Sequence, residues 1–307
     1  MGCVRERIYV TLHHNKLMDT ELQTLASRLT SLCTQLNDAL EYSVAVDGAL
    51  AELTKGCTKD DAQRLLTELV EGNDSEFTTP ILHHLKDKCG LTKEVVQCNN
   101  NYAFEVAAKN GHAQVLKFFK DEYGLAKGDA QYNNCVALDV AAENGHAQVL
   151  KCLRDEYGLT KDDAQRSNNL ALRVAAANGH AQVLKCLQDA YGLGKEDARA
   201  DNNWALRVAA ENGHVQVLKC LREEYGLTKE DAQANDNEAC RGAASNNHLE
   251  CLRCLQRDFG LDRKDALEAY QNATSPLAKQ VLDDHFGLGS AKVSVNGIMT
   301  ALKRQFQ

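Results

Sequence analysis

The chain has 307 residues, of which 44% are hydrophobic, 25% are charged and 6% are aromatic. Pro80 and Pro276 are its two prolines, and this scarcity favours long helices over an all-β fold because proline breaks helix interiors. No apolar run approaches the ~20 residues of a membrane span, and the amino terminus lacks the apolar core of a secretory signal. A formal net charge of −8 argues against a general nucleic-acid coat.

Residues 1–55 are predicted to form an amino-terminal helical cap. Between residues 18 and 42, leucines and one methionine recur every three or four residues, the period of an amphipathic helix. Such a helix would cover the first unit of a repeat array, since arrays need end caps for solubility. The alternative is a homodimer through a coiled coil of residues 18–42, for which this length is short.

A 34-residue period governs the chain from residue 99 to residue 268. The triplet Asn-Gly-His at 110–112 returns three times at this interval, and an altered Asn-Asn-His follows at 246–248. Self-similarity at a fixed period predicts one array of stacked helical hairpins rather than two globules. We therefore predict five repeats over 99–268, a degenerate repeat over 56–98, and a shortened repeat with a capping helix over 269–307.

One repeat shows the expected local structure. Asn134 is predicted to begin a first helix, and Asn144-Gly145 ends it because glycine is favoured where the chain turns left-handed. A second helix is predicted from His146 to Tyr157. Thr160 is followed three residues later by an acid, the pattern of a capping box, which predicts a short third helical turn through Ala164.

The second half of the repeat carries a recognisable pattern. Residues 141–153 read Ala-Ala-Glu-Asn-Gly-His-Ala-Gln-Val-Leu-Lys-Cys-Leu. This unit resembles the ankyrin repeat, whose second half commonly reads A-A-x-x-G-H-x-x-V-V-x-L-L. The resemblance covers five units and implies an all-α, ankyrin-like solenoid. Arrays of this GLTKEDA type are similar to those common in intracellular bacteria and large amoebal viruses.

Two departures from the ankyrin pattern matter. Val136-Ala137-Leu138-Asp139 stands where the family has T-P-L-H, so the family's Thr/His hydrogen-bond pattern is absent. Residues 158–165 replace the family's β-hairpin finger. We therefore expect each finger to be helical or loop-like.

Cysteines also recur at the 34-residue interval. The positions of this column are Phe118, Cys152, Cys186, Cys220 and Cys254. A column that accepts both cysteine and phenylalanine is a packing column, because a free cysteine behaves as a small hydrophobe. Reduced thiols predict a reducing compartment, and we expect the cytoplasm, with the interior of a host cell as one setting.

Repeated histidines and one His/Cys cluster raise the question of a metal. The histidine of each Asn-Gly-His triplet opens a helix, where its imidazole can satisfy nearby backbone groups, so a structural role is predicted. His248, Cys251 and Cys254, with Cys240 upstream, have zinc-like spacing. Cys251 takes the place of a repeated valine and Cys254 continues the cysteine column, so packing accounts for both. We expect neither a metal nor a cofactor.

Columns of the first helix that change from copy to copy define the candidate binding surface. At 100° per residue, positions equivalent to 138, 141 and 142 cluster on one face of this helix, and those equivalent to 136 and 139 cluster on the opposite face. The first varying column reads Tyr102, Val136, Leu170, Trp204 and Glu238. The second varying column reads Glu105, Asp139, Arg173, Arg207 and Arg241.

The pattern of these two columns favours recognition of another protein. An apolar and aromatic strip runs beside charges that change from acidic to basic, and Trp, Tyr and Arg are the residue types most enriched at binding hot spots. We expect a bound protein segment whose acidic part meets the arginines. Glu105 and Asp139 argue against a nucleic-acid track. Neutral drift on a solvated face is the alternative interpretation.

A second class of function is an effector or enzyme with cysteine-dependent chemistry in residues 1–98. Such chemistry needs an activated cysteine beside a histidine. This part of the chain holds Cys33, Cys57 and Cys89 and His13, His14, His83 and His84, without a recognisable spacing. We find no catalytic motif and therefore expect a non-catalytic interaction module or scaffold.

Overall fold

The structure is a computed structural model that describes residues 59–71 and 78–288. Helices joined by short turns make up these residues, and no strand occurs within them. No helix in these ranges is long and apolar enough to cross a membrane. The predicted helix at 18–42 and the predicted capping helix after residue 288 lie outside the described residues.

Helices follow one another in a fixed order. The first pair is α1 (Lys59–Glu71) and α2 (Thr78–Cys89). Repeat 1 comprises α3 (Lys93–Val96), α4 (Cys98–Lys109) and α5 (Ala113–Tyr123), and repeat 2 comprises α6 (Lys127–Ala130), α7 (Tyr132–Glu143) and α8 (Ala147–Asp155). Repeat 3 comprises α9 (Lys161–Ala164), α10 (Arg166–Ala177) and α11 (Ala181–Tyr191). Repeat 4 comprises α12 (Lys195–Ala198), α13 (Ala200–Glu211) and α14 (Val215–Glu223), and repeat 5 comprises α15 (Lys229–Ala232), α16 (Ala234–Ser245) and α17 (Leu249–Arg257). The last pair is α18 (Arg263–Asn272) and α19 (Pro276–Phe286). Within each repeat we call the three helices the finger, helix A and helix B, in that order.

The chain divides into two compact units. One takes in the residues up to Ala141 with Cys152–Leu159, and the other takes in Ala142–Lys151 and the residues from Thr160 onward. In the first unit, α1 packs against α4 and α2 packs against α5. In the second unit, the A helices α10, α13 and α16 pack in sequence, and so do the B helices α11, α14 and α17. Each unit is thus an all-α array of helices packed in a row.

Small and aliphatic side chains form the contacts between these helices. In helix A of repeat 4, Leu206, Ala209 and Ala210 are completely buried, and in helix B of the same repeat Val217 and Leu218 are completely buried. Alanine lets neighbouring A helices approach closely, while the larger side chains of helix B fill the remaining space. The constant columns of the sequence are therefore the core of the protein.

The finger is a helical turn, as the sequence predicts. In repeat 3, the backbone N–H of Thr160 donates to the Asp163 carboxylate at 2.9 Å, and the Thr160 hydroxyl donates to the same carboxylate at 2.9 Å. Both hydrogen bonds run from Thr160 to Asp163 and hold the first turn of α9. The predicted third helical turn through Ala164 is confirmed.

Between the finger and helix A, each repeat contains an unexpected left-handed turn. Three consecutive residues have φ between 47° and 66° in every repeat, at positions 99–101, 133–135, 167–169, 201–203 and 235–237. The prediction that Asn134 begins a right-handed helix is therefore wrong, because regular helical geometry starts only after Cys135. Asparagine and aspartate fill thirteen of the fifteen positions. Their short polar side chains tolerate this conformation, which costs other L-residues about 1–2 kcal/mol each.

The Asn-Gly-His turn joins helix A to helix B and contacts the next repeat. Gly179 has a φ of +82°, and a Cβ atom on it would lie 2.7 Å from Nδ1 of His214. Gly145 and Gly213 have the same relation to His180 and His248. Glycine is thus required for two reasons, namely the backbone conformation and the close approach of the imidazole.

We predict that Gly179→Ala is more destabilising than Gly192→Ala. Both glycines have positive φ, but a Cβ on Gly192 would meet nothing within 4 Å. The backbone conformation costs alanine about 1 kcal/mol at either site, and overpacking against His214 adds about 1–3 kcal/mol at residue 179 alone. Urea unfolding of the two variants measures this difference, and equal free energies of unfolding would contradict the required close approach.

Candidate functional site

All ten residues of the two varying columns lie on helix A. The structure places these residues, Tyr102, Glu105, Val136, Asp139, Leu170, Arg173, Trp204, Arg207, Glu238 and Arg241, at exposed or partly exposed positions. The opposite face of each A helix is buried against its neighbours. The accessible face of helix A is therefore the face that carries the two varying columns.

In the second unit, residues of the two columns contact each other between successive repeats. The guanidinium of Arg173 lies over the Trp204 ring, 4.7 Å from its centroid, and is 3.4 Å from the carboxylate of Asp201. A cation over an indole face is attracted by the ring quadrupole. An aromatic ring, a guanidinium and a carboxylate thus form one ordered cluster on helix A.

Arg207 makes the equivalent contact one repeat further along. Its guanidinium forms an ion pair with Glu238 and donates to the carbonyl oxygens of Asn202 at 3.0 Å and Asp201 at 3.2 Å. In repeat 5, Arg241 donates to the Asn235 carbonyl oxygen at 3.1 Å. Arginine in this column therefore also supports the left-handed turn of its own repeat, a role that the sequence analysis missed.

In the first unit, the accessible face of helix A carries tyrosine and carboxylates. The Tyr102 hydroxyl donates to the carboxylate of Glu71 at 2.9 Å. This hydrogen bond, burial and the negative charges of Glu71 and Glu105 all raise the pKa of Tyr102. Tyr132, which the sequence analysis did not select, is 40% exposed, the same fraction as Tyr102.

The pairs just described share a spacing that the sequence analysis overlooked. Tyr102 with Glu71 and Arg207 with Glu238 are each 31 residues apart, which is one period less the three residues between the two columns. A search for complementary residue types at this spacing would have found them. Glu71 joins the candidate surface for this reason, whereas Asp201 joins it through its ion pair with Arg173.

The repeated histidines form hydrogen bonds between repeats. Nε2 of His180 lies 2.9 Å from the Glu143 carbonyl oxygen, and Nε2 of His214 lies 2.9 Å from the Ala177 carbonyl oxygen. The predicted structural role of these imidazoles, which is to satisfy backbone groups, is confirmed for both. The carbonyl groups at the end of each A helix thereby gain a donor from the next repeat.

An open groove of about 510 Å³ crosses the Asn-Gly-His turns of the second unit. Its polar lining includes Asn212 and Asn246, whose side-chain amides donate to the carbonyl oxygens of Ala177 at 2.9 Å and Glu211 at 3.0 Å. His214 and His248 also line it. The polar groups of the groove therefore serve contacts between repeats.

The cysteines of the proposed zinc-like cluster are packed in the core. Cys240, Cys251 and Cys254 are all buried, and burial raises the pKa of the Cys240 and Cys254 thiols to about 12. Protonated thiols are neither nucleophiles nor metal ligands at neutral pH. Within the described ranges, no group of three or more His, Cys, Asp or Glu side chains could hold a metal ion.

Residues named for cysteine-dependent chemistry are divided between the described and undescribed parts of the chain. Cys33, Cys57, His13 and His14 lie outside the described residues. Cys89 is buried at the end of α2. The ring of His83 lies edge-on to Phe118, with 4.8 Å between the ring centroids, and so belongs to an aromatic contact.

A column of buried aspartates caps the fingers. In repeat 4, Asp197 accepts from the backbone N–H of Gly194 at 2.8 Å and from the side-chain amide of Gln165 at 2.6 Å, and Lys161 lies 3.2 Å away. Burial by itself would raise the pKa of Asp197, but these three partners outweigh it and hold the pKa below its ordinary value. The carboxylate is thus a structural group that joins two repeats.

No protein-family model matches this chain, and a search of curated proteins also finds no match.

We predict that Asp197→Asn destabilises the protein by about 1–3 kcal/mol at neutral pH, because charge-assisted hydrogen bonds are lost. A carboxylate whose pKa is lower in the folded state contributes stability above its unfolded-state pKa of about 4 and loses it as the pH falls. The difference between wild type and variant should therefore shrink from pH 6 towards pH 3. Chemical unfolding across this range measures it.

The control for this measurement is Asp162→Asn in the finger of repeat 3, where the side chain is exposed. Its free energy of unfolding should remain within about 0.5 kcal/mol of wild type. A difference between wild type and Asp197→Asn that stays constant with pH would contradict the structural role of the carboxylate.

Proposed function

We propose that the accessible face of the A helices binds a segment of another protein, and that the repeats act as a non-catalytic interaction module. The observation that carries this proposal is that the constant and the varying columns occupy different faces of each repeat. Constant columns are buried in contacts between repeats, whereas the ten residues of the varying columns are at least partly exposed on helix A, even where they also contact the next repeat. In an array of near-identical units, such differences are available for recognition.

The residue types on this face support protein recognition. Trp204 is partly exposed, and tryptophan, tyrosine and arginine dominate binding hot spots. The guanidinium of Arg173 lies over the Trp204 ring and holds this indole in place. Because an ordered side chain loses less conformational entropy when a partner binds, this cluster is well suited to anchor a peptide.

The proposal includes an ankyrin-like arrangement of the repeats. It is supported by the Asn-Gly-His turn, the helix pair and the match of residues 141–153 to the ankyrin pattern. The fingers are the main difference, since they are helical turns. Mixed charge on the accessible face supports a protein partner over nucleic acid, because a nucleic-acid track needs continuous positive charge.

Two further parts of the proposal concern setting and assembly. A reducing compartment such as the cytoplasm is supported by buried thiols, for example Cys220 and Cys254, in packing positions. A homodimer through residues 18–42 remains a separate proposal that concerns residues outside the described ranges.

We predict that Trp204→Ala weakens binding of peptides selected on this protein. A random-peptide library would be selected on the full-length wild type, and the affinities of the enriched peptides would then be measured by fluorescence anisotropy. Loss of a central aromatic anchor should reduce affinity by about tenfold or more. Trp204 is chosen over Arg207 because removing Arg207 would also free the carbonyl oxygens of the left-handed turn.

The matched control is Arg253→Ala on helix B of repeat 5, where the side chain is 59% exposed. It should leave the affinity of the selected peptides unchanged. Thermal melting of both variants establishes that each remains folded. Equal affinity of wild type and folded Trp204→Ala for the selected peptides would reject the helix A face as the binding surface.

A further inference from the structure

The second unit shows how this fold accommodates a guanidinium on helix A. Arg173 stacks on Trp204 and pairs with Asp201, so an aromatic face and a carboxylate together hold one cation. Planar guanidinium groups favour such sites, because they stack on rings and pair with carboxylates at the same time. The arrangement requires three partners from two successive repeats.

In the first unit the ring position is kept, but a carboxylate stands where the second unit has the cation, and Asn99 stands at the position of Asp201. Tyr102 stands three periods before Trp204, and Glu71 stands three periods before Arg173. Tyr102 and Glu71 are in contact through the 2.9 Å hydrogen bond. Glu105 contributes a second carboxylate whose charge acts on the Tyr102 hydroxyl. We call Glu71, Tyr102 and Glu105 the acidic–aromatic surface.

Local electrostatics make this surface negative. Burial raises the pKa of the neighbouring Glu68, and the charge of Glu71 raises it further against the opposing effect of Arg64. Glu71 is also the last residue of α1, and the final turn of that helix contains no basic residue. The negative end of the helix dipole therefore adds to the carboxylate charges. In the described part of the chain, neither Glu71 nor Glu105 forms an ion pair with a cation.

We propose that the acidic–aromatic surface binds an arginine side chain of the partner segment, with the guanidinium over Tyr102 and paired with Glu105. This inference rests on the proposed function and specifies the chemistry of the partner. Charge complementarity favours a cation, and the exposed tyrosine ring favours guanidinium over ammonium. The partner then supplies in the first unit the group that Arg173 supplies within the second.

Binding of labelled peptides to the full-length chain tests this proposal. The probes are short glycine- and serine-based peptides that carry arginine, lysine or citrulline at the same alternate positions, and the readout is fluorescence anisotropy at low ionic strength. Citrulline has the shape of arginine without its charge. We expect the arginine peptide to bind most tightly, the lysine peptide more weakly, and the citrulline peptide not at all.

Three variants assign the binding to this surface. Glu105→Gln should lower the affinity of the arginine peptide by about fivefold or more, since one charge-assisted pair is lost. Tyr102→Leu should lower the affinity for the arginine peptide about threefold, because the ring face is lost. Tyr102→Phe keeps the ring and should retain most of the affinity. Glu196→Gln removes a carboxylate that is 83% exposed in the second unit and should have no effect.

Other results would contradict the proposed arginine site. Equal affinity for arginine and citrulline peptides, or an unchanged affinity in Glu105→Gln, would overturn the proposal, as would equal losses in Tyr102→Phe and Tyr102→Leu. Peptides that require Trp204 but ignore Glu105→Gln would reject the arginine site and leave the proposed function standing. Circular dichroism of each variant verifies the fold before binding is measured.

Discussion

Hydrogen bonds from the side chains of one repeat to the backbone carbonyl groups of the preceding repeat hold this protein together. The Tyr191 hydroxyl donates to the Leu150 carbonyl oxygen at 2.7 Å, and the Tyr225 hydroxyl makes the same bond to Leu184 at 2.7 Å. Both tyrosines are buried. The repeated histidines reach the carbonyl groups at the ends of the A helices in the same manner. In repeats 3 and 4 these side chains therefore complete the hydrogen bonding of the preceding repeat.

This constraint explains why some columns are constant and others vary. A residue that satisfies a buried backbone group cannot change without leaving that group unpaired, which costs about 1–3 kcal/mol. The histidine therefore recurs in all five repeats, the tyrosine in repeats 1 to 4 and the capping aspartate in repeats 2 to 5. Side chains such as Trp204 and Glu105 lie on the accessible face of helix A and are not needed to satisfy a buried backbone group. These positions can therefore differ between repeats while the packing between repeats stays the same.

Periodicity predicted the helix pairs, the helical fingers and the accessible face, because each depends on residue types at short, regular spacing. It did not predict the left-handed turns. Asn134 was interpreted as a helix start, since asparagine favours both helix starts and turns. Three such residues in succession, repeated in every unit, were the available signal. The Arg173–Trp204 contact was missed because column-by-column comparison shows which residues vary and not which residues touch.

The central claim is that each repeat is joined to the preceding one by side-chain donors to its backbone. Comparing the free energy of unfolding of Tyr225→Phe with that of Tyr132→Phe tests it most directly, because both changes remove one hydroxyl and only the first hydroxyl is buried against a carbonyl oxygen. We expect Tyr225→Phe to lose about 1–2 kcal/mol and Tyr132→Phe, at an exposed site, to stay within about 0.5 kcal/mol of wild type. Equal stability of the two variants would contradict the claim.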